Sequence, residues 1–357
     1  MTKRECVIEV LKGGKPPVVP SLGETPMDAT VAASLAGLMP KPTGDPVTDA
    51  VNRALFYDNS VLGVGIDVAA ETLVKTDERH VYRYETGVVW TDQYIPTYNR
   101  SAGNYPVETP EQAFTFQMPV FDDGARFNKK ELAERINRIK DAGYYAEGHI
   151  IGAWSAVYYY MARFESALEW MLTEPEACER LFKHAIDFSV KSAEVLLECG
   201  VDGINSFSDM GTAISTLFSR QCFDRYMYNW LKSISALCHD NDAFFHLHCH
   251  GHIEDFMDKI VEAGVDIINP IGPSDYNDLA MFKRKWGDKI SIMGGISTTI
   301  MDMDDGAMRA HVREVMDIGR KGGRFFPRTE SGIPPMPREK IMLYLEILKD
   351  ERMKGYT

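Results

Sequence analysis

The sequence predicts an α/β protein, a (β/α)8 TIM barrel with an insertion between strands 2 and 3. Three observations predict it. Eight short apolar runs, rich in Val, Ile and Phe, recur along the chain. Longer segments of helical period lie between most of them. Helix ends carry a glycine directly before the next strand: Gly200 in ECGVDGI and Gly264 in EAGVDII, the stop expected at an αβ junction. Strands that alternate with helices imply a parallel sheet. Eight such units, in a chain of 357 residues with 45% hydrophobic and 25% charged residues, imply closure into one barrel over residues 1–357.

The expected strands, in order, are Pro17–Gly23, Val61–Asp67, Tyr144–Gly152, Val201–Asp209, Ala243–His250, Val265–Ile271, Ile290–Ser297 and Gly323–Glu330. Among the helices, Thr173–Leu197 opens with Thr173 as N-cap, Pro175 in the first turn and Glu176 three residues on, a capping-box arrangement. Leu181, Ala185, Phe188 and Ser192 then follow at helical spacing. Residues 70–128 break the rhythm. They are polar and aromatic-rich, with Trp90, Tyr94, Tyr98 and Tyr105, and TGVVWTDQY reads as one arm of a hairpin. This segment is expected to fold as a lid over the barrel mouth, because long insertions in compact domains are often functional. The sequence holds no internal repeat and no low-complexity tract.

Composition narrows the function. A net charge of −13 with no basic run argues against a nucleic-acid binder. Six scattered cysteines, with no C-x-x-C pair, read as reduced thiols in a reducing compartment. The opening MTKRECVIEVLKGGKPP lacks a signal-peptide core, and no apolar run approaches the ~18 residues of a membrane span. The expectation is a cytoplasmic enzyme.

Phe244–His252, FFHLHCHGH, is the segment that points to chemistry. Side chains alternate along a strand, so His246, His248 and His250 share one face while Leu247 and Cys249 take the other. In a barrel one face is the interior, and the strand ends form the C-terminal mouth where barrel enzymes keep their sites. Three imidazoles on a buried face without a ligand are costly. His248 and His250 are therefore expected to share a tetrahedral zinc. Cys249 is a possible further ligand if the strand ends before it. The last strand runs into PRTESGIPP, which brings Glu330 to the same mouth as the expected third ligand and Arg328 as a substrate-binding or ligand-orienting group. Other strand-end candidates are Asp209 and Glu147 for catalysis, and Glu24, His149 and Asn269 for substrate binding, with Ser297 nearby. Such residues contact substrate or fix imidazole tautomers.

Five blocks resemble the uroporphyrinogen decarboxylase superfamily: GHIIGAWSAVYYY, LTEPEACERLFKHAIDFSVKSAEVLLECGVDGINSFSD, HLHCHGHIEDFMDKIVEAGVDIINP, ISIMGGIST and GGRFFPRTESGIPPMPREKIMLYLEIL. The resemblance covers residues 140–350 well and the N-terminal third loosely. It implies a (β/α) barrel. The superfamily's decarboxylases carry an N-terminal arginine-rich motif that grips porphyrinogen carboxylates, whereas the matching stretch here, PSLGETP at Pro20–Pro26, has no arginine. The other branch, the cobamide-dependent methyltransferases, has a zinc pattern of His-x-Cys-Gly on the fifth strand with a distal Cys near the last. Here His248-Cys249-His250-Gly251 aligns with it, so His250 replaces the first Cys. Ser331, beside Glu330, holds the distal position.

Loss of the thiolates argues against activation of a thiol. A His, His, carboxylate set leaves zinc a stronger Lewis acid, suited to polarising an ether oxygen. The resemblance thus implies an O-demethylase: transfer of a methyl group from a methoxylated, aromatic small-molecule donor to cob(I)alamin. The cobamide would arrive on a partner corrinoid protein, because the chain has no D-x-H-x-x-G motif. Alternatives are a methylcobamide:thiol methyltransferase, a transferase that takes methyl from an amine, a decarboxylase-like lyase, and a non-catalytic metal- or corrinoid-binding barrel.

Overall fold

The computed structural model describes residues 1–66, 68–93, 99–119 and 128–357. Seven of the eight expected strands form one parallel sheet: β1 (Val61–Gly65), β6 (Tyr145–Ile151), β7 (Gly203–Phe207), β8 (Phe244–His248), β9 (Ile267–Ile271), β10 (Ser291–Ile296) and β11 (Phe325–Thr329), neighbours in that order. Each strand is shorter than the sequence suggested. β8 ends at His248, so Cys249 and His250 lie beyond it, and β11 ends before Glu330.

The expected first strand, Pro17–Gly23, does not form. Pro16, Pro17 and Pro20 have no N–H to offer a ladder. The segment nevertheless lies between the two edges of the sheet. Ser60 N donates to Ser21 O at 2.7 Å on the β1 side, and Thr329 N donates to the Glu24 carboxylate at 2.6 Å on the β11 side. One backbone bond and one side-chain bond stand where a full ladder would.

The sheet curls around two kinds of core. Its outer face packs on helices such as Pro175–Glu198. That helix begins two residues later than Thr173, which instead ends the preceding helix, Phe164–Thr173, and bonds Glu169 O through its hydroxyl. Proline at 175 disfavours helical geometry at Glu174, and the break falls there. Gly200 and Gly264 stop their helices with φ of 90° and 91°, as expected. The inner face holds Tyr145, Ile267, Met293 and Phe326, drawn from β6, β9, β10 and β11. Helix Lys3–Leu11, which sequence periodicity did not reveal, closes this bottom layer with Val7, Val10 and Leu11. Burying each of these side chains contributes ~1.5–3 kcal/mol.

Within residues 70–128 a separate antiparallel meander forms: β2 (Ala70–Lys75), β3 (Arg79–Tyr84), β4 (Val89–Gln93) and β5 (Asn99–Gly103). The expected hairpin arm is β4. Tyr94, Tyr98 and residues 120–127 lie outside the described residues, as does Asp67. The meander is fastened to helix Ala153–Tyr160, which starts where β6 ends. Trp90 Nε1 donates to Tyr159 O at 3.1 Å. The Arg100 guanidinium lies 4.3 Å from the Trp90 ring and 4.7 Å from that of Tyr159, and donates to the hydroxyls of Tyr159 and Tyr82. Such cation–π contacts hold best when partly shielded from water, as Arg100 is here.

Candidate active site

Above the apolar bottom layer the interior turns polar, because the inward positions of three neighbouring strands change character together. On β6 the inward series is Tyr145, Glu147, His149. On β7 it is Gly203, Asn205, Phe207, and on β8 Phe244, His246, His248. Leu247 and Cys249 point outward into the helix-facing core, as alternation requires.

Glu147 is the hub. One carboxylate oxygen lies 2.9 Å from His246 Nδ1. The other lies 3.2 Å from His149 Nε2 and accepts from Asn205 Nδ2 at 3.2 Å. His246 Nε2 then meets Asn269 Oδ1 at 2.6 Å, so each ring nitrogen of His246 faces an acceptor. Burial alone would push the Glu147 carboxyl up, but His246 and then His149 overcome it and hold it well below the usual carboxylate range. His149 is half exposed, and its ring lies over Gly63, where a β-carbon would come within 2.8 Å of it. A cavity of about 510 Å³ opens beside this layer, lined by Glu147, His149, His246 and Arg328.

At the mouth, the rings of His248 and His250 stand 4.8 Å apart, nearly perpendicular. Burial, reinforced by His250 and Arg328, pushes His248 well below the ordinary histidine value, so its imidazole is neutral at pH 7. His250 lies beyond the strand yet returns to this face. Asp209 accepts from His250 N at 2.9 Å, and Asp275 accepts from Gly251 N at 3.0 Å while its carboxylate stands 3.8 Å from His250 Nδ1. Burial opposes the charge on Asp275, but His250 and the Gly251 N–H keep its carboxyl below the usual value.

The turn depends on two glycines. Gly251 has φ of 97°, and a β-carbon on it would overlap the Gly211 backbone in the loop after β7. Gly251→Ala is therefore expected to cost at least ~1–3 kcal/mol and to displace His250; a urea denaturation midpoint unchanged from wild type would refute this.

Three expected ligands or contacts are not gathered here. Glu330 follows the last strand residue, so alternation no longer governs it, and its carboxylate ties two loops instead. It accepts from Ser274 N and Oγ at 3.0 and 2.6 Å and from Thr298 N at 3.0 Å. Cys249 is fully buried on the outer face, where its sulfur accepts from Met210 N, and burial pushes its thiol well up. Glu24 is fully buried, and its carboxylate accepts from Thr329 N, Thr329 Oγ1 and Tyr344 OH; it is a tie between chain segments, not a cavity group. Glu147, His149, Asn269 and Arg328 do face the interior, and Asp209 acts through the His250 backbone. Among the described residues no group of three or more His, Cys, Asp and Glu side chains is gathered as a metal cluster. Asn205 and Asp275 went unread: neither belongs to a motif, and Asp275 sits in a 3-10 turn without periodicity.

The chain belongs to the uroporphyrinogen decarboxylase (URO-D) family, whose model matches residues 104–350. Among solved structures it is similar to a methyltransferase from Methanosarcina mazei, with 16% identity and a TM-score of 0.71 over 98% of this chain and 99% of that one. It is also similar to a B12-independent methionine synthase from Shewanella sp. W3-18-1, with 10% identity and a TM-score of 0.44 over 95% and 94% of the two chains. No curated protein sequence matches it. No helix among the described residues is long and apolar enough to cross a membrane.

Proposed function

We propose that this chain is a zinc-dependent methyltransferase that moves a methyl group from a methoxylated aromatic compound to the cob(I)alamin of a partner corrinoid protein, in the cytoplasm. The observation that carries the reading is the pair of imidazoles at the mouth. Burial holds His248 neutral, and the Asp275 carboxylate stands 3.8 Å from His250 Nδ1, on the side where a carboxylate would orient a metal-binding histidine. Family membership and a full-length fold shared with a methyltransferase support it.

The residues fit two corners of a zinc site, His248 and His250. Glu330 and Cys249 are engaged elsewhere, and the Asp275 carboxylate stands 3.8 Å from His250 Nδ1. When bound there, zinc supplies Lewis-acid polarisation of the ether oxygen. The rest falls to the chain. The cavity holds the arene. Glu147 orients His149, which stands half exposed beside it, and in this reading His149 gives the departing oxygen its proton. The bond between methyl carbon and oxygen breaks with its electron pair on oxygen, and cobalt(I) of the partner supplies the pair that binds the methyl. The antiparallel meander, fixed to Tyr159, serves as the lid.

The test is to mix the zinc-loaded chain with cob(I)alamin and a phenyl methyl ether and to follow the corrin spectrum. Methylcobalamin and the free phenol are expected. Transfer solely from methylcobalamin to a thiol, or release of carbon dioxide from a carboxylated arene without methyl transfer, would replace this reading with a thiol methyltransferase or a lyase.

A further inference from the structure

The inner cavity has a charge pattern that the methyl-transfer reading does not require. Arg328 lines it from β11. Among the described residues its guanidinium forms no ion pair, and its Nε is enclosed without an acceptor. Two acids lie near enough to act on it through space, and both are engaged. Glu24 is held by Thr329 and Tyr344, and Glu147 by His246, His149 and Asn205. Arg53 and Arg135, from helices Pro46–Phe56 and Lys129–Asp141, line the same cavity, while among the described residues Glu147 is the single acid of that lining. A partly buried guanidinium without acceptors is unfavourable unless a ligand supplies them. Its planar fork matches a carboxylate, which accepts two parallel N–H bonds. Glycine at position 63 keeps the facing wall open.

We propose that the cavity binds a small organic acid through its carboxylate, with Arg328 as the group that grips it and Arg53 and Arg135 setting the positive field. Resting on the transferase reading above, this makes the methyl donor a methoxylated aromatic carboxylate. The cavity's 510 Å³ suits a molecule of that size.

Calorimetric titration of the purified chain with para-methoxybenzoate, para-methoxybenzamide and inorganic phosphate tests it. The wild type is expected to bind the benzoate about 10–100-fold more tightly than the isosteric amide, the range of a charge-assisted pair. Arg328→Met should erase that preference, weakening the benzoate far more than the amide, and Arg328→Lys should keep part of it. Equal affinity for benzoate and amide in the wild type, no benzoate binding at millimolar concentration, or tighter binding of phosphate would overturn the proposal without any variant. A chain that shows the preference but forms no methylcobalamin keeps the anion site and loses the transferase reading. A chain that demethylates the amide as well as the benzoate keeps the transferase reading and loses this site.

Discussion

Glu147→Gln is expected to lower methyl-transfer turnover by about 10²–10⁴-fold, the usual contribution of a positioned acid–base group. The carboxylate touches His149, His246 and Asn205 at once. An amide keeps the volume but removes the charge, and its NH2 turns a donor toward one of two imidazoles. His149 then loses its orientation in the cavity, so the loss should fall on kcat more than on KM. The same change has a stability signature. The folded carboxyl sits well below its unfolded value of ~4.3, so its contribution is present above that value and fades as the pH falls through the lower folded one. Wild type should therefore lose stability below ~pH 4.3, and Glu147→Gln should lack that part of the slope. Activity within a few-fold of wild type, in a folded Gln variant, would remove Glu147 from the mechanism.

His248 should dominate a second window. Burial first, and then the neighbouring His250 and the Arg328 guanidinium, keep the folded imidazole well below the unfolded value of ~6.5. Below that pH the unfolded chain takes up a proton that the folded chain does not, so stability falls on acidification by up to ~1.4 kcal/mol per pH unit for this one group. Urea midpoints of the metal-free protein between pH 7 and 5 should show the slope, and His248→Gln should flatten it. An unchanged slope in the variant would mean that His248 is accessible to protons, and the neutral-ligand argument would fail.

How much of this was legible in the sequence depended on where periodicity still held. β6 to β11 were readable because each is an apolar run with alternating faces, and alternation put His246 and His248 on one face; Glu147, expected at a strand end, lies instead three residues into β6. One residue past a strand end that rule stops. Glu330 is such a case: nothing in PRTESGIPP says that its carboxylate turns to Ser274 and Thr298. His250 is the converse. It lies two residues past β8, yet the left-handed Gly251 and the close approach of Gly211 return its ring to His248. The first strand was misread because PVVPSLG has the apolar content of a strand while its prolines forbid the ladder. Arg53 and Arg135 look in sequence like solvated positions of amphipathic helices, and only the curl of the sheet brings them to the cavity.

The central claim is that His248 and His250 hold a catalytic metal, and elemental analysis of purified wild type beside His248→Ala tests it most directly. About one zinc per chain in the wild type, lost in a variant that remains folded, is the predicted result. Wild type that is metal-free and takes up none when zinc is supplied, or a variant that retains the same zinc, would contradict it.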